Sequence, residues 1–568
     1  MGDVCVQQGR HTDDLPLVRP KGHDVGVSFL QWHSLSAKGS RIYLTVAYSQ
    51  FSDLPSVTNI FADDGKNRFD AQWLARAVAS SQEDAANYQY ELYRFEFPLD
   101  QFPSITSLKF YFTISGVDYR ATNITTHFRF PISEVFKSAY CVLNGCCLQV
   151  KDDTLIVRKR FSYWLTEFAF LFEILKKHEG FWKEELAVRM VYWLYHWFKF
   201  KPIWLLKDRS DAAGDNAEAL FEYLCQSQSK VKPYFVINKR CRDAVRLRKI
   251  GRVVHFGSLK HRLLNVLSSV ALSSQVDSWL FFSDLRNHAL RNLIALKPFI
   301  FLQHGITQND VSDLFGKYEQ NISGFVTAAH NERTSILENA YGYTQDEVWL
   351  TGFPRYDKLY DARERIVTFM PTWRQWLFSK PNAKSGVWKP LPGFTESDYF
   401  KFYNSLLNHP RLCDAAQQYG YRLAFFPHPM IRLNQLESCF QQTALMPLPS
   451  DISYQSLYAR SALLVTDYSS AVFDFAYLRK PVVYTHFDHK TFFSGKHTFK
   501  KGYFDYERDG FGEVTYSLEE SVDCLINYMK TDCQLKAIYR ERVDSFFAFN
   551  DRKSCQRVYE RVCEMLSH

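Results

Sequence analysis

Apolar and polar positions follow three successive regimes along this chain. From about Arg41 to Val150 the period is two, as in RIYLTVAY, YELYRFEFPL and SLKFYFTISG, with Pro, Asp, Ser and Gly between the runs. Aromatic and β-branched residues alternating with polar ones suit strands buried on one face, and predict an antiparallel sandwich. Between Phe161 and Trp204 the period turns helical, as in EELAVRMVYWLYHWFKF, and fifteen aromatic residues mix with Lys176, Lys177, Lys183, Arg189, Lys199 and Lys201. Helices of that composition suit an anionic membrane interface or packing against neighbouring domains. After Lys201, short apolar runs (IWLL, VVHF, FIFLQ, IVTFM, RLAFF, ALLVT, PVVYT) each lead into a polar or Gly/Pro-containing turn and a helical stretch. This rhythm predicts parallel sheets with helices on both faces.

The regimes divide the 568 residues into a β-rich accessory domain (1–155), a helical linker (156–201), two Rossmann-like domains (202–365 and 366–530) and terminal helices (531–568) that could cross back. The polar stretch Asp361 to Arg365 is the expected joint between the two Rossmann-like domains. An apolar content of 46% supports several packed cores and excludes a disordered chain. Lys and Arg exceed Asp and Glu by 69 to 61, a mild excess that suits an anionic partner without choosing one. No dense basic stripe points to nucleic acid. The twelve cysteines lack metal or disulfide spacing and are expected to be reduced. The opening MGDVCVQQGRHTDDLPLVRP has no apolar signal core, and no run of about 18 apolar residues occurs, so a cytosolic protein is expected.

A phosphate-binding GxxxxGK[ST] loop, a helix-opening GxGxxG, an Asp-x-Asp pair and HExxH are all missing from the sequence. No metal or other cofactor is therefore expected, and the chemistry falls to histidines, hydroxyls and backbone amides. In doubly wound sheets ligands lie beyond the carboxyl ends of the strands, so the residues after each apolar run carry the most information. In PFIFLQHGITQND, His304 is a candidate general base and Gly305 permits close approach of a ligand. In RLAFFPHPMI, Pro427 and Pro429 restrict the backbone around His428, a candidate phosphate donor. In SALLVTDYSSAVFDFAYLRKP, Ser469 and Ser470 open a helix that could receive a pyrophosphate, and Asp474, one turn on, could accept from a ribose or polyol hydroxyl. In IVTFMPTWR, Thr372 and Arg374 offer a hydroxyl and a planar fork of donors. Gly352, Arg355 and Asp357 of GFPRYDKL are expected to shape the interdomain cleft.

Taken in order, IWLLKDRSDAAGDNAEALFEYL, FLQHG, LTGFPRYDKL, FMPTWR, FFPHP and VTDYSSAVFDFAYLRKPVV resemble the CDP-glycerol glycerophosphotransferase family of teichoic acid and capsule synthesis. The resemblance spans about residues 200 to 530. It implies a GT-B pair of facing Rossmann-like domains at the inner face of the cell membrane. Glycerol phosphate would pass from CDP-glycerol to a hydroxyl of a polymer or lipid-linked primer, releasing CMP. It also implies His304 as base and His428, Ser469, Ser470 and Asp474 as the donor-binding set, with Arg374 beside it. The later YFDYERDGFGEV departs from the family's usual form, which leaves the polyol open between glycerol, ribitol and something larger. Two alternatives stay open: a GT-B sugar-nucleotide glycosyltransferase, and a non-catalytic module that binds polyanionic polymer.

Overall fold

The computed structural model describes residues 28–50, 57–78, 89–127, 129–198, 200–227, 229–276, 288–379, 388–440, 445–449, 452–494 and 501–567. The N-terminal stretch read as lacking a signal core, and Lys199, lie outside them.

Two sheets form the N-terminal region. One runs in the order Gln72–Val78, Gln89–Pro98, Arg41–Gln50, Ser28–Lys38, Thr125–Thr126. The other runs Tyr140–Leu143, Cys146–Lys151, Thr154–Arg158, Ile105–Ile114, Val57–Asp63, Arg68–Asp70, with Val117–Arg120 paired to Ile105–Ile114. Neighbours are antiparallel except Ser28–Lys38 beside Thr125–Thr126. Along Ile105–Ile114 the buried positions are every second residue, and Leu108, Phe110, Phe112 and Ile114 join Trp32, Leu44, Phe95 and Phe97 in one core. The first strand begins at Ser28, ahead of the Arg41 where the alternating reading started.

Helices α1 (Tyr163–Lys177) and α2 (Trp182–Trp197) follow. Ser162 caps α1 by accepting from the Leu165 N–H at 3.4 Å, and His178 ends it in the left-handed region. Phe170 and Ile174 pack into the sandwich core, whereas Val188 joins the core of the next domain, so the pair bridges the two. Arg189 departs from the expected basic face. It is fully buried, forked onto Glu167 at 2.7 and 2.6 Å, and donates to the Ala289 carbonyl. The Glu167 carboxylate and the Ala289 carbonyl satisfy a guanidinium charge taken out of water, which unpaired would be costly.

Next come β1 (Ile203–Lys207), α3 (Asn216–Gln226), β2 (Lys232–Ile237), β3 (Arg252–His255), β4 (Ser268–Ser273), β5 (Phe299–Phe301), β6 (Gly324–Thr327), α4 (His330–Glu338) and β7 (Val348–Leu350). Their strands form one parallel sheet in the order β3-β2-β1-β4-β5-β6-β7. The chain then crosses 359–365, where Asp361 pairs with the buried Lys480 at 2.7 Å. A second parallel sheet is built from β8 (Ile366–Phe369), β9 (Arg422–Phe425), β10 (Leu463–Thr466), β11 (Val482–Thr485) and β12 (Gly512–Thr515), in the order β9-β8-β10-β11-β12. Helix α5 (Ala471–Tyr477) follows β10. Both sheets reverse direction once, between β1 and β4 and between β8 and β10, and such switch points open a crevice at the strands' carboxyl ends.

The last helix, α6 (Ser554–Ser567), returns to the first parallel sheet, where Tyr559 lies 5.6 Å from Trp204. Gly352 and Asp357, expected to shape the cleft, hold this helix instead. The Asp357 carboxylate accepts from the N–H groups of Ser554 and Cys555 at 2.9 and 2.8 Å. Gly352 has φ of 77°, and a Cβ there would lie 2.6 Å from Ser554 Oγ. An N-cap and a close backbone approach account for both residues.

Candidate active site between the two parallel sheets

The loops at the carboxyl ends of the two sheets meet. After β5, Gln303 takes a φ of 59° and turns His304 outward to solvent. A Cβ on the next residue, Gly305, would stand 3.0 Å from Ser470 Oγ, at the start of α5 in the other sheet. Gln308 Nε2 crosses the same gap to the Tyr468 carbonyl at 2.9 Å, and Gln455 Nε2 reaches back to the Gly214 carbonyl at 3.2 Å. His304, Gly305, Ser469 and Ser470 are thus brought together from segments far apart in sequence.

His304 is reached by water yet walled by protein. Its pKa is lowered to about 4 by that desolvation and by the charge of Arg355, with a hydrogen bond to the Ser274 backbone pulling the other way. At neutral pH the ring is uncharged. A neutral imidazole carries one bare nitrogen, which can take a proton.

His428 follows β9 and stacks on Trp373, with ring centroids 6.0 Å apart. Its Nδ1 accepts from the Met430 N–H at 3.2 Å, so Nε2 carries the hydrogen. Burial lowers its pKa to about 4 against the opposing charge of Asp467. The ring of the free protein is therefore a neutral N–H donor at neutral pH.

Arg374 and Asp474 are both corrected by their partners. The Arg374 guanidinium is fully buried, donating to Asp488 at 2.7 and 3.1 Å, to Asp467 at 2.9 Å and to the Thr372 carbonyl at 2.8 Å. Its donors are used within the second sheet's loops and its charge is balanced by two carboxylates, so it braces the site rather than touching phosphate. Asp467 also accepts from the N–H groups of Thr372 and Tyr468. The Thr372 hydroxyl is buried with no hydrogen-bond partner among the described residues. Asp474 gives both oxygens to Arg355, at 2.6 and 2.7 Å, which removes it as a polyol acceptor. The expected cleft role of Arg355 takes a specific form: its fork on Asp474 joins the two sheets' domains, while its Nη1 reaches Asp215 of its own domain at 2.8 Å. Burial pushes Asp215 up to about 7, with Arg355 pulling it down.

Three groups were not singled out from the sequence. Asn216, wholly buried at the start of α3, donates to the carbonyls of Leu302 and Gln303 and accepts from the Arg355 N–H. Arg209, in the loop after β1, is exposed and paired with Asp211. Arg432 lies over the Phe426 ring at 4.3 Å with no ion pair among the described residues. The charges of Arg209 and Arg432 both reach the Tyr454 phenol, and Arg209 also bears on His304. Arg209 and Arg432, one from each sheet's loops, thus both lie near Tyr454. The Arg432 signal was present in the sequence, one helical turn beyond His428. Asn216 and Arg209 sit beyond β1, a strand end that carried no histidine or serine pattern.

The profile described as CDP-Glycerol:Poly(glycerophosphate) glycerophosphotransferase matches residues 187–564. The minor teichoic acid biosynthesis protein GgaB of Bacillus subtilis (strain 168) is 38% identical over 400 residues, covering 69% of this chain and 43% of that protein. This chain thus spans less than half the length of that relative. A teichoic acid glycerol-phosphate transferase of Staphylococcus aureus (strain NCTC 8325 / PS 47) is 22% identical, over 61% of this chain and 89% of that one. The solved wall teichoic acid polymerase TagF aligns at 14% identity with a TM-score of 0.48, over 72% of this chain and 99% of that one.

Proposed function

The chain belongs to the CDP-glycerol:poly(glycerophosphate) glycerophosphotransferase family, and from that premise we propose that it moves a polyol phosphate, glycerol phosphate first, from a CDP-polyol to a hydroxyl of a teichoic-acid-like polymer or lipid-linked primer. The two parallel domains would act as a GT-B pair. The acceptor oxygen attacks the phosphorus next to the polyol, the bond to the bridging oxygen breaks, and CMP leaves with the electron pair. His304 takes the hydroxyl proton on its free nitrogen. A lowered pKa makes it a weak base in the empty cleft; an anionic diphosphate beside it would offset Arg355 and raise its basicity as the donor binds. The Nε2–H of His428, the hydroxyls of Ser469 and Ser470, and the guanidinium groups of Arg209 and Arg432 would meet the phosphate oxygens as charge moves toward the leaving group. No metal is assigned a role. The nearby carboxylates Asp215, Asp467, Asp474 and Asp488 already hold Arg355 and Arg374.

The observation that carries this reading is the approach of Gly305 to Ser470, which sets a neutral imidazole from one sheet against the hydroxyl-rich turn of the other. We also place the protein on an anionic membrane surface, supported by the exposed aromatic and aliphatic side chains of α1 and α2. No helix among the described residues is long and apolar enough to cross a membrane.

The test is to incubate the protein with CDP-glycerol, CDP-ribitol or UDP-sugars together with a synthetic glycerol-phosphate oligomer, and to identify the nucleotide formed. CMP from a CDP-polyol is expected. His304→Ala should lower its release by about 10²- to 10⁴-fold with the fold retained. UDP as the product would make the protein a glycosyltransferase, and no nucleotide at all would leave a polymer-binding role.

A further inference from the structure

We propose that Glu332 is a positioning residue for this transfer, its carboxylate closing the Gln303–Thr307 turn so that His304 is held toward the donor. This rests on the reading of His304 as the base. Glu332 lies in the first turn of α4 and is wholly buried. Its Oε1 accepts from Gln303 Nε2 at 3.0 Å and from the Thr307 N–H at 2.8 Å; its Oε2 accepts from the Ala328 N–H at 2.8 Å. The first and last residues of the turn are thus bound to one carboxylate oxygen. Gln303 Nε2 also donates to the Val326 carbonyl at 2.6 Å, and the Thr307 hydroxyl to Gln303 Oε1 at 2.8 Å. Every polar side-chain atom at the two ends of the turn is engaged, while His304 and Gly305 between them face the crevice.

The backbone explains why such a clamp is needed. Gln303 carries a β-carbon in the left-handed region, a conformation that persists only where the surroundings over-determine it. Asn216 fixes the turn from the α3 side through the Gln303 carbonyl, and Glu332 fixes it from the α4 side. With either end loose, the imidazole would lose the alignment on which proton transfer depends.

The chemistry of the clamp gives it a distinctive pH response. The groups facing Glu332 are amides of Gln303, Thr307, Ala328 and Ala329, with the phenols of Tyr341, Tyr356 and Tyr503 around them. None of these is a cation. Burial pushes the carboxyl up to about 7, and the amide donors pull it down. Protonation would turn an acceptor into a donor pointed at other donors, so the turn loosens as pH falls through this range.

The experiment measures CMP release from CDP-glycerol with the same oligomer, across pH, in full-length wild type and Glu332→Gln. The variant should lose about ten-fold or more in kcat, with KM for CDP-glycerol changed by less than about two-fold. Its thermal midpoint at about pH 8 should stay within a few degrees of wild type, since a buried charge is replaced by a neutral isostere. The wild-type acid limb of kcat should lie near 7, and in the variant it should move toward the lower pH at which His304 titrates. Unchanged kcat, or identical acid limbs, would overturn the proposal. Should Glu332→Gln fail to fold, Gln303→Met removes the amide end of the clamp and must show the same kcat loss; normal turnover there overturns it equally. A wild type that releases no CMP would instead sink the reading of the site.

Discussion

In the proposed transfer His428 acts through one hydrogen. Its Nδ1 is committed to the Met430 N–H, so the proton on Nε2 is fixed by the local turn rather than by pH. A glutamine side chain can present an N–H donor at comparable reach, whereas alanine presents none. His428→Gln should therefore keep about ten-fold more kcat/KM for the CDP-polyol than His428→Ala. The sign of the pH effect follows from the lowered pKa: with burial holding it at about 4 in the free protein, and a bound diphosphate raising it as at His304, the kcat/KM profile should show no limb near 6.5 from this residue. Rescue by His428→Lys better than by His428→Gln would show that charge, not the neutral N–H, is what the site uses. Arg374 teaches the complementary point. Its type and its place after β8 fit a phosphate ligand, and no local pattern signals that Asp467 and Asp488, from two later loops, engage the side chain first.

The strand-end pattern singles out His304, His428 and the Ser469–Ser470 turn as candidates because each directly follows an apolar run that becomes a strand of one of the two parallel sheets. It missed Asn216 and Glu332, which act from the first turns of α3 and α4 on a loop more than twenty residues away in sequence. Partners of that kind become visible only when the sheet order is known. It also left open what α1 and α2 pack against. In the structure their inner positions, Phe170, Ile174 and Val188, are core, but Leu165, Phe172, Leu194, Trp197 and Phe198 are more than half exposed. Lys176, Lys177, Lys183 and Lys201 are exposed nearby. Each large apolar side chain fully removed from water contributes about 1.5–3 kcal/mol, and each lysine near an anionic surface about 1 kcal/mol. The combination should bring the protein down with phosphatidylglycerol vesicles at low salt. Replacing Leu165, Phe172 and Leu194 together by serine should leave most of it in the supernatant. Wild type that stays in solution with such vesicles would remove the membrane from the account.

At the scale of the whole molecule, the two parallel domains share one core. Leu206, Leu220 and Ile300 from the first are continuous with Leu464, Phe473 and Tyr484 from the second and with Val558 from the returning α6. An apolar junction of that kind opposes free hinging, so the crevice is largely set before substrate arrives. Arg355 is the polar counterpart of this junction: its fork on Asp474 crosses between the domains, its bond to Asp215 anchors it within the first, and Tyr356 beside it stacks on Tyr477 at 4.3 Å. Removing the guanidinium leaves two buried carboxylates facing each other, a loss of about 3–5 kcal/mol for an ion pair of this type. Removing Asp474 alone costs less, because Asp215 still balances the charge. A cycle of Arg355→Met, Asp474→Asn and the double variant, followed by denaturant unfolding, should thus show the effects to be non-additive by about 2 kcal/mol. The same cycle followed by CMP release separates anchoring from chemistry. If the bridge acts only by joining the domains, turnover tracks stability. Since the charge of Arg355 helps to lower the His304 pKa, Arg355→Met in the Glu332→Gln background, where the limb near 7 is gone, should in addition move the remaining acid limb upward, a shift that Asp474→Asn does not produce there. Additive unfolding energies would mean that the domains are held by their apolar core alone.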